Sequence, residues 1–111
     1  MTKVEWILWA VLQVNGVADI DPQIVIKDLR VPGLYGRTQC FRPSGGEWQC
    51  KVFIDKKRMR DSSRRKFAKW RNWQNTVLHE LCHVATADEF DHHGDAWKAC
   101  AKTHRVWHDK K

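Results

Sequence analysis

The spacing of apolar and polar positions changes along the chain, and each spacing predicts a different element. Apolar residues dominate 3–14, which predicts a buried helix. Three strands are predicted after it: 24–27 is rich in β-branched residues, and 34–42 and 47–55 flank the turn signal at 43–46, typical of a hairpin. The last strand places four side chains on the face expected to cover the core: Trp48, Cys50, Val52 and Ile54.

A longer helical pattern follows. Its apolar side chains recur at spacings of three and four residues: Trp70, Trp73, Val77, Leu78, Leu81, Cys82, Val84 and Ala85. The polar strip left between them contains His79 and His83, and a last helix is predicted after Gly94. We therefore expect an α+β fold with a first helix, a small, mainly antiparallel sheet of three strands, a metal-binding helix and a C-terminal helix. At 111 residues the chain is expected to be a single domain, 1–111.

The composition of the chain indicates a globular domain with a strongly positive net charge. The chain has 42% hydrophobic residues and seven tryptophans, typical of a globular domain, and its formal net charge is +7. A strongly basic chain favours a polyanionic partner, although a basic surface can also serve solubility alone.

The first apolar stretch and the cysteines indicate in which cellular compartment the protein is expected. Residues 7–12 are too few to span a bilayer, and no signal cleavage site follows, so we expect an intracellular protein that does not enter a membrane. Its cysteines would then be mostly reduced. Cys40 and Cys50 lie symmetrically about Gly45, which is compatible with simple packing, a disulfide or half of a metal site. Packing is the role we expect for all four, Cys82 and Cys100 included.

The polar strip of the second long helix has the pattern H-E-x-x-H, typical of zinc peptidases. Residues four apart lie on one face of a helix, so His79 and His83 can hold one Zn²⁺. Glu80 can then serve as general base toward a water on the metal. The next segment offers several possible third ligands: Glu89, Asp91, His93 and Asp95.

A basic run overlaps the beginning of this helix. Half of the 20 lysines and arginines lie between Lys51 and Arg71, and aromatic residues interleave with the end of the run. Cations next to rings suit single-stranded nucleic acid, whereas a solvated connector is the alternative. The residues expected to contact nucleic acid are Lys56, Lys57, Arg58, Arg60, Arg64, Arg65, Lys66, Lys69 and Trp70.

Three stretches together resemble the SprT-like zinc metalloproteases, which include the Spartan-type proteases of DNA–protein crosslinks. They are Gly36–Cys40, Leu78–His83 and His93–Lys98, within a similarity that covers about residues 33–107. The resemblance implies a zincin-like domain with one Zn²⁺ per chain and His93 as the third ligand. It also implies cleavage of proteins bound or crosslinked to DNA, single-stranded or containing junctions. The four-cysteine zinc ribbon of larger members has no counterpart in this sequence.

Two other functions stay open at this point. The chain could be a regulatory peptidase with one specific protein substrate, or a zinc-stabilised DNA-binding module without hydrolytic activity. Glu80 favours hydrolysis, because a structural zinc site needs no base. The residue that stabilises the oxyanion is not identified by the pattern, and Tyr35 and His104 are candidates. His92 is expected to neighbour the site without being a ligand.

Overall fold

The computed structural model describes residues 1–60 and 72–107. Within these ranges the chain forms an α+β fold of five helices and a three-stranded sheet. The helices are α1 (Lys3–Gln13), α2 (Val17–Ile20), α3 (Lys56–Arg60), α4 (Asn72–Ala85) and α5 (Asp95–Thr103), and the strands are β1 (Gln23–Lys27), β2 (Gly36–Phe41) and β3 (Gln49–Asp55). The predicted helices and strands are confirmed, whereas α2 and α3 were not predicted, because they are too short for periodicity to reveal them.

The sheet is mixed and not mainly antiparallel as the sequence suggested. Its order is β1-β3-β2, with β1 parallel to β3 and β2 antiparallel to β3. The most buried strand, β3, takes the central position, where both of its edges are paired. Because β2 reverses the chain between β1 and β3, the two flanking strands run in opposite directions and one pair must be parallel.

The core lies between the sheet and α4. Cys50, Val52 and Ile54 of β3 are buried, as the period-two alternation predicts. Helix α1 packs beside α4, and the rings of Trp6 and Trp73 meet edge-on at 5.2 Å. The helix predicted to be buried over 3–14 buries only one face, with Trp6, Ile7 and Ala10. Its exposed apolar side chains include Val4, Leu8 and Leu12.

All four cysteines form disulfides, so the prediction of reduced cysteines that only fill space is wrong. Cys40 and Cys50 are direct partners in the β2–β3 ladder, with their Cα atoms 4.1 Å apart. Cys82 and Cys100 join α4 to α5 with a Cα separation of 5.7 Å. The symmetry of the first pair is visible in the sequence, but the strand register and the helix packing that bring the sulfurs together are not.

No helix in the described ranges is long and apolar enough to span a bilayer.

Candidate metal centre

Two histidines of the candidate site come from α4. Because residues four apart lie on one face of a helix, His79 and His83 stand one above the other, with ring centroids 5.0 Å apart. The other sides of this helix are anchored in the core by fully buried side chains: Val77, Leu78, Leu81, Cys82 and Val84. The helix therefore holds both rings on a rigid support and leaves them half-buried at its surface.

The third histidine depends on how α5 begins. The Glu89 carboxylate accepts hydrogen bonds from the backbone N–H groups of Ala96 at 2.8 Å and Trp97 at 3.1 Å, which caps the first turn. A Cβ atom on Gly94 would approach a Glu89 carboxylate oxygen to 2.7 Å, so glycine makes room for this cap. The capped turn places His93, with its ring centroid 5.3 Å from that of His79.

The three imidazoles converge on one point. His79, His83 and His93 each offer a ligand atom, and these atoms all lie within 4.8 Å of one another. Among the described residues, no other group of three or more His, Cys, Asp or Glu side chains is placed to hold a metal ion. Three neutral imidazoles suit a divalent transition metal and leave further coordination positions open. The donor set therefore fits a metal ion.

The acidic alternatives for the third ligand are outside this group. Glu89 caps α5 instead, and neither Asp91 nor Asp95 belongs to the convergent set. His92 lies beside the site, with its ring 6.2 Å from that of His83, and is also not a member. Among the residues considered from the sequence, only His93 joins the histidine pair.

Trp97 forms the wall behind the cluster. Its ring centroid lies 4.5 Å from that of His93, 4.9 Å from His79 and 5.4 Å from His83, and the side chain is only 2% exposed. Its indole N–H also donates to the backbone carbonyl of His79 at 3.3 Å. A buried ring against three imidazoles restricts their rotamers, so packing helps to hold the cluster in its convergent arrangement.

Glu80 lies between the histidines and the sheet. The residue is 6% exposed; its Oε1 accepts a hydrogen bond from the Thr38 hydroxyl at 2.6 Å, and its Oε2 lies 3.9 Å from His79 Nε2. Burial raises the pKa of Glu80 to about 7, and the hydrogen bond from Thr38 opposes that rise. A carboxyl group with a pKa near neutrality can exchange a proton under physiological conditions.

The approach of β2 to α4 depends on a glycine. A Cβ atom on Gly36 would meet Glu80 Cγ at 3.0 Å and Thr76 Cγ2 at 3.1 Å. The missing side chain lets β2 come close enough for Thr38 to reach Glu80. Thr38 was not assigned a role from the sequence, although the alternation of β2 places it on the same face as Gly36 and Cys40.

Two clefts border this centre, and Gly36, His79 and Glu80 line both of them. One, of about 380 Å³, is lined by β2 residues, including Arg37 and Thr38, and by all three histidines of the cluster. The other, of about 360 Å³, is lined by Tyr35, His79, Glu80 and Trp107. Tyr35 is therefore placed near the centre, whereas His104, the other oxyanion candidate, lines neither cleft.

The predicted nucleic-acid residues are described only in part. Lys56, Lys57 and Arg60 are exposed on α3, while Arg58 is half-buried and its guanidinium carbon lies 3.5 Å from the centroid of the Tyr35 ring. The remaining residues of that prediction lie outside the described ranges: Arg64, Arg65, Lys66, Lys69 and Trp70.

Comparison of the chain with protein families, with curated proteins and with solved structures finds no match. The resemblance to SprT-like proteases therefore rests on the motifs named above, and a function has to be argued from the side chains of the site.

Proposed function

We propose that this chain is a zinc-dependent endopeptidase of the SprT-like type. The observation that carries the proposal is the position of Glu80, a buried carboxylate held by Thr38 beside three convergent imidazoles and bordered by two clefts. A metal site that serves only stability has no need of a base at its open side. The zincin-like character of the fold is part of the same proposal.

His79, His83 and His93 would hold the metal. Bound zinc supplies Lewis acidity, which lowers the pKa of a water molecule and polarises a scissile carbonyl group. Glu80 accepts the proton of the attacking water through Oε2 and returns it to the leaving amine, while Thr38 keeps Oε1 in place. Trp97 excludes water from the rear of the site, and Tyr35 is positioned to meet the substrate on the side of the second cleft.

For the substrate we propose proteins that are bound or crosslinked to DNA. This part of the proposal draws on the motif resemblance, the net charge of +7 and the exposed cations of α3: Lys56, Lys57 and Arg60. Phosphate groups bind such cations with the release of counterions, so a DNA-bound substrate would be concentrated at the enzyme.

The test combines metal content with proteolysis. Purified protein should carry about one zinc per chain. It should cleave a protein bound to single-stranded DNA faster than the same protein without DNA, and a chelator should stop both reactions. Equal cleavage with and without DNA would favour a regulatory peptidase instead. Zinc and DNA binding without any cleavage would favour a non-hydrolytic module and contradict the proposal.

A further inference from the structure

One face of the three-stranded sheet is turned away from the core. Cys50, Val52 and Ile54 of β3 belong to the core cluster, and Phe53, which lies between them in sequence, does not. Because consecutive strand residues point to opposite sides and paired residues to the same side, the strand register defines a second face around Phe53. We call it the open face. Its side chains are Gln23, Val25 and Lys27 of β1, Arg37, Gln39 and Phe41 of β2, and Gln49, Lys51, Phe53 and Asp55 of β3.

The open face is accessible to a partner. The helices α3 and α4, which contact the sheet, lie on its other side, since Met59 of α3 and Val77 of α4 share the core cluster with Val52. The exposed residues of the open face are Gln23, Lys27, Arg37, Gln39, Phe41, Gln49 and Lys51. Successive residues on this face are about 6.6 Å apart along a strand, because a strand rises about 3.3 Å per residue. An extended chain of several units can therefore lie across it.

The charges of the open face complement a polyanion. Three cations, Lys27, Arg37 and Lys51, stand against one carboxylate, Asp55, which accepts a hydrogen bond from the backbone N–H of Leu29 at 3.2 Å. Among the described residues, none of these three cations forms an ion pair. Lys27 and Arg37 lie over the Phe53 ring at 4.9 and 5.2 Å from its centroid. A ring contact holds a cation in position without neutralising its charge.

The neutral side chains of this face indicate which polyanion fits. Lys51 is flanked in the register by Gln23 and Gln39, and Phe41 is the partner of Gln49. Side-chain amides both donate and accept hydrogen bonds, as the edges of nucleic-acid bases require. The Phe41 side chain is 60% exposed and offers a ring on which an unpaired base can stack. A duplex covers the faces of its bases, and an acidic polypeptide has no bases, so a single strand uses more of this surface than either.

We propose that the open face binds single-stranded nucleic acid, with Lys27, Arg37 and Lys51 on phosphate groups and Phe41 stacked on a base. Binding there requires no metal chemistry. The same strand β2 lines a cleft of the metal centre with the residues Gly36, Thr38 and Cys40, which point to its other side. A nucleic acid on the open face would therefore hold an attached protein near that cleft, and this consequence alone rests on the proposed function.

The first experiment removes charge from the open face. Lys27→Gln with Lys51→Gln should weaken binding of a labelled oligothymidylate, measured by fluorescence anisotropy with the zinc-loaded protein. The slope of log affinity against log salt should become shallower by about 0.7 for each phosphate that is no longer neutralised. The matched control is Lys98→Gln with Lys102→Gln, which removes the same charge from exposed positions on α5. Thermal melts show that each variant is folded.

The second experiment removes the ring. Phe41→Ala should weaken binding of the oligothymidylate by about tenfold, the usual effect of losing one stacked base. Binding of a labelled hairpin duplex should not change, because paired bases do not expose their faces. Phe41→Trp keeps a stacking surface and should retain the native affinity. Phe90→Ala is the control, since Phe90 is a fully exposed ring in the connection between α4 and α5.

The outcomes separate this inference from the peptidase function. Absence of binding to the oligothymidylate, or equal losses in the two lysine double variants, overturns the surface and leaves the peptidase standing. Native affinity in Phe41→Ala contradicts the stacking on which the choice of a single strand depends. If polyglutamate displaces the oligothymidylate as well as unlabelled oligothymidylate does, the surface takes any acidic polymer and the proposal is wrong. Failure of peptide hydrolysis overturns the peptidase and leaves these binding results unaffected.

Discussion

The histidine cluster and a neighbouring cavity of about 610 Å³, which Tyr35 and Arg58 line, are built in different ways. Two of the three histidines lie one helical turn apart on α4, and the third follows within the next ten residues. The cavity instead joins the strand connection, the end of β3 and α3, and its central contact links residues 23 positions apart. The first region is determined by local periodicity and the second by strand register. The first is therefore easier to predict from the sequence than the second.

The largest effect is expected from the third histidine. His93→Ala should lose zinc to a chelator under conditions in which the native protein keeps it, because only two imidazoles remain. Asp91→Ala, in the same loop, is the matched control and should keep its zinc. Metal content after dialysis against a weak chelator makes the comparison. Zinc kept in His93→Ala and lost in Asp91→Ala would show that the ligand set is assigned wrongly.

The next effect separates metal binding from chemistry at the same centre. Glu80→Gln should retain zinc and fold, but an amide cannot accept the proton of the attacking water. Hydrolysis of a peptide should fall by about 10²–10⁴-fold, the usual contribution of a general base. The measurement is kcat/KM on a fluorogenic peptide beside zinc content. Undiminished cleavage would remove Glu80 from the mechanism.

Burial of Glu80 also predicts a pH dependence of stability in the metal-free protein. The folded-state pKa, about 7, lies above the ordinary pKa of 4.5, so the folded protein binds more protons than the unfolded chain between these values. The contribution of Glu80 to the free energy of unfolding is therefore fully present below pH 4.5 and is lost as the pH rises through 7.

Chemical denaturation of native and Glu80→Gln proteins with the metal removed measures this contribution. The difference between the two proteins in the free energy of unfolding isolates the part that depends on the Glu80 carboxyl group, including its contact with His79 at 3.9 Å. From the shift in pKa, the difference should change by at most about 3 kcal/mol across the interval. If the difference in the free energy of unfolding between the two proteins does not change with pH, the carboxyl group is not desolvated in the folded protein.

The chemistry of the centre can be predicted from the sequence more fully than its surroundings can. Helical spacing sufficed for His79 and His83, and the alternation of β3 sufficed for its buried face. Glu89 was considered as a ligand because its carboxylate has the right chemistry, and only the packing of α5 shows that it caps a helix. The disulfides could not be predicted for a similar reason. Strand register brings Cys40 next to Cys50, and the packing of α5 on α4 brings Cys82 next to Cys100. The contact between Arg58 and the Tyr35 ring could not be predicted, because it follows no periodic pattern in the sequence.

A smaller effect is expected from Thr38, which links the sheet to the proposed general base. Thr38→Val preserves the shape of the side chain and removes the hydrogen bond to Glu80 Oε1. Loss of one such bond should lower kcat/KM about tenfold. The acid limb of the pH profile should move to higher pH, because this hydrogen bond lowers the pKa of Glu80. Thr38→Ser keeps the hydroxyl group and should behave like the native protein, and a shifted profile in both variants would point to packing instead.

The smallest effect is expected on the solvent-exposed side of α3, the helix that also contains Arg58. Lys56 and Arg60 are exposed there and do not line the cavity. If they meet phosphate groups, the double variant Lys56→Gln, Arg60→Gln should bind single-stranded DNA more weakly. The slope of log affinity against log salt should become shallower by about 0.7 for each phosphate that is no longer neutralised.

The control for this double variant is a second one on α5, Lys98→Gln with Lys102→Gln, which removes the same charge. Both are compared in a salt titration of a labelled oligonucleotide. Zinc content and cleavage of a free peptide should be unchanged by the substitutions at Lys56 and Arg60, because neither residue lines the two clefts of the metal centre. Equal slopes in the two double variants would mean that α3 contributes only net charge, and that DNA binding has no defined site on this face.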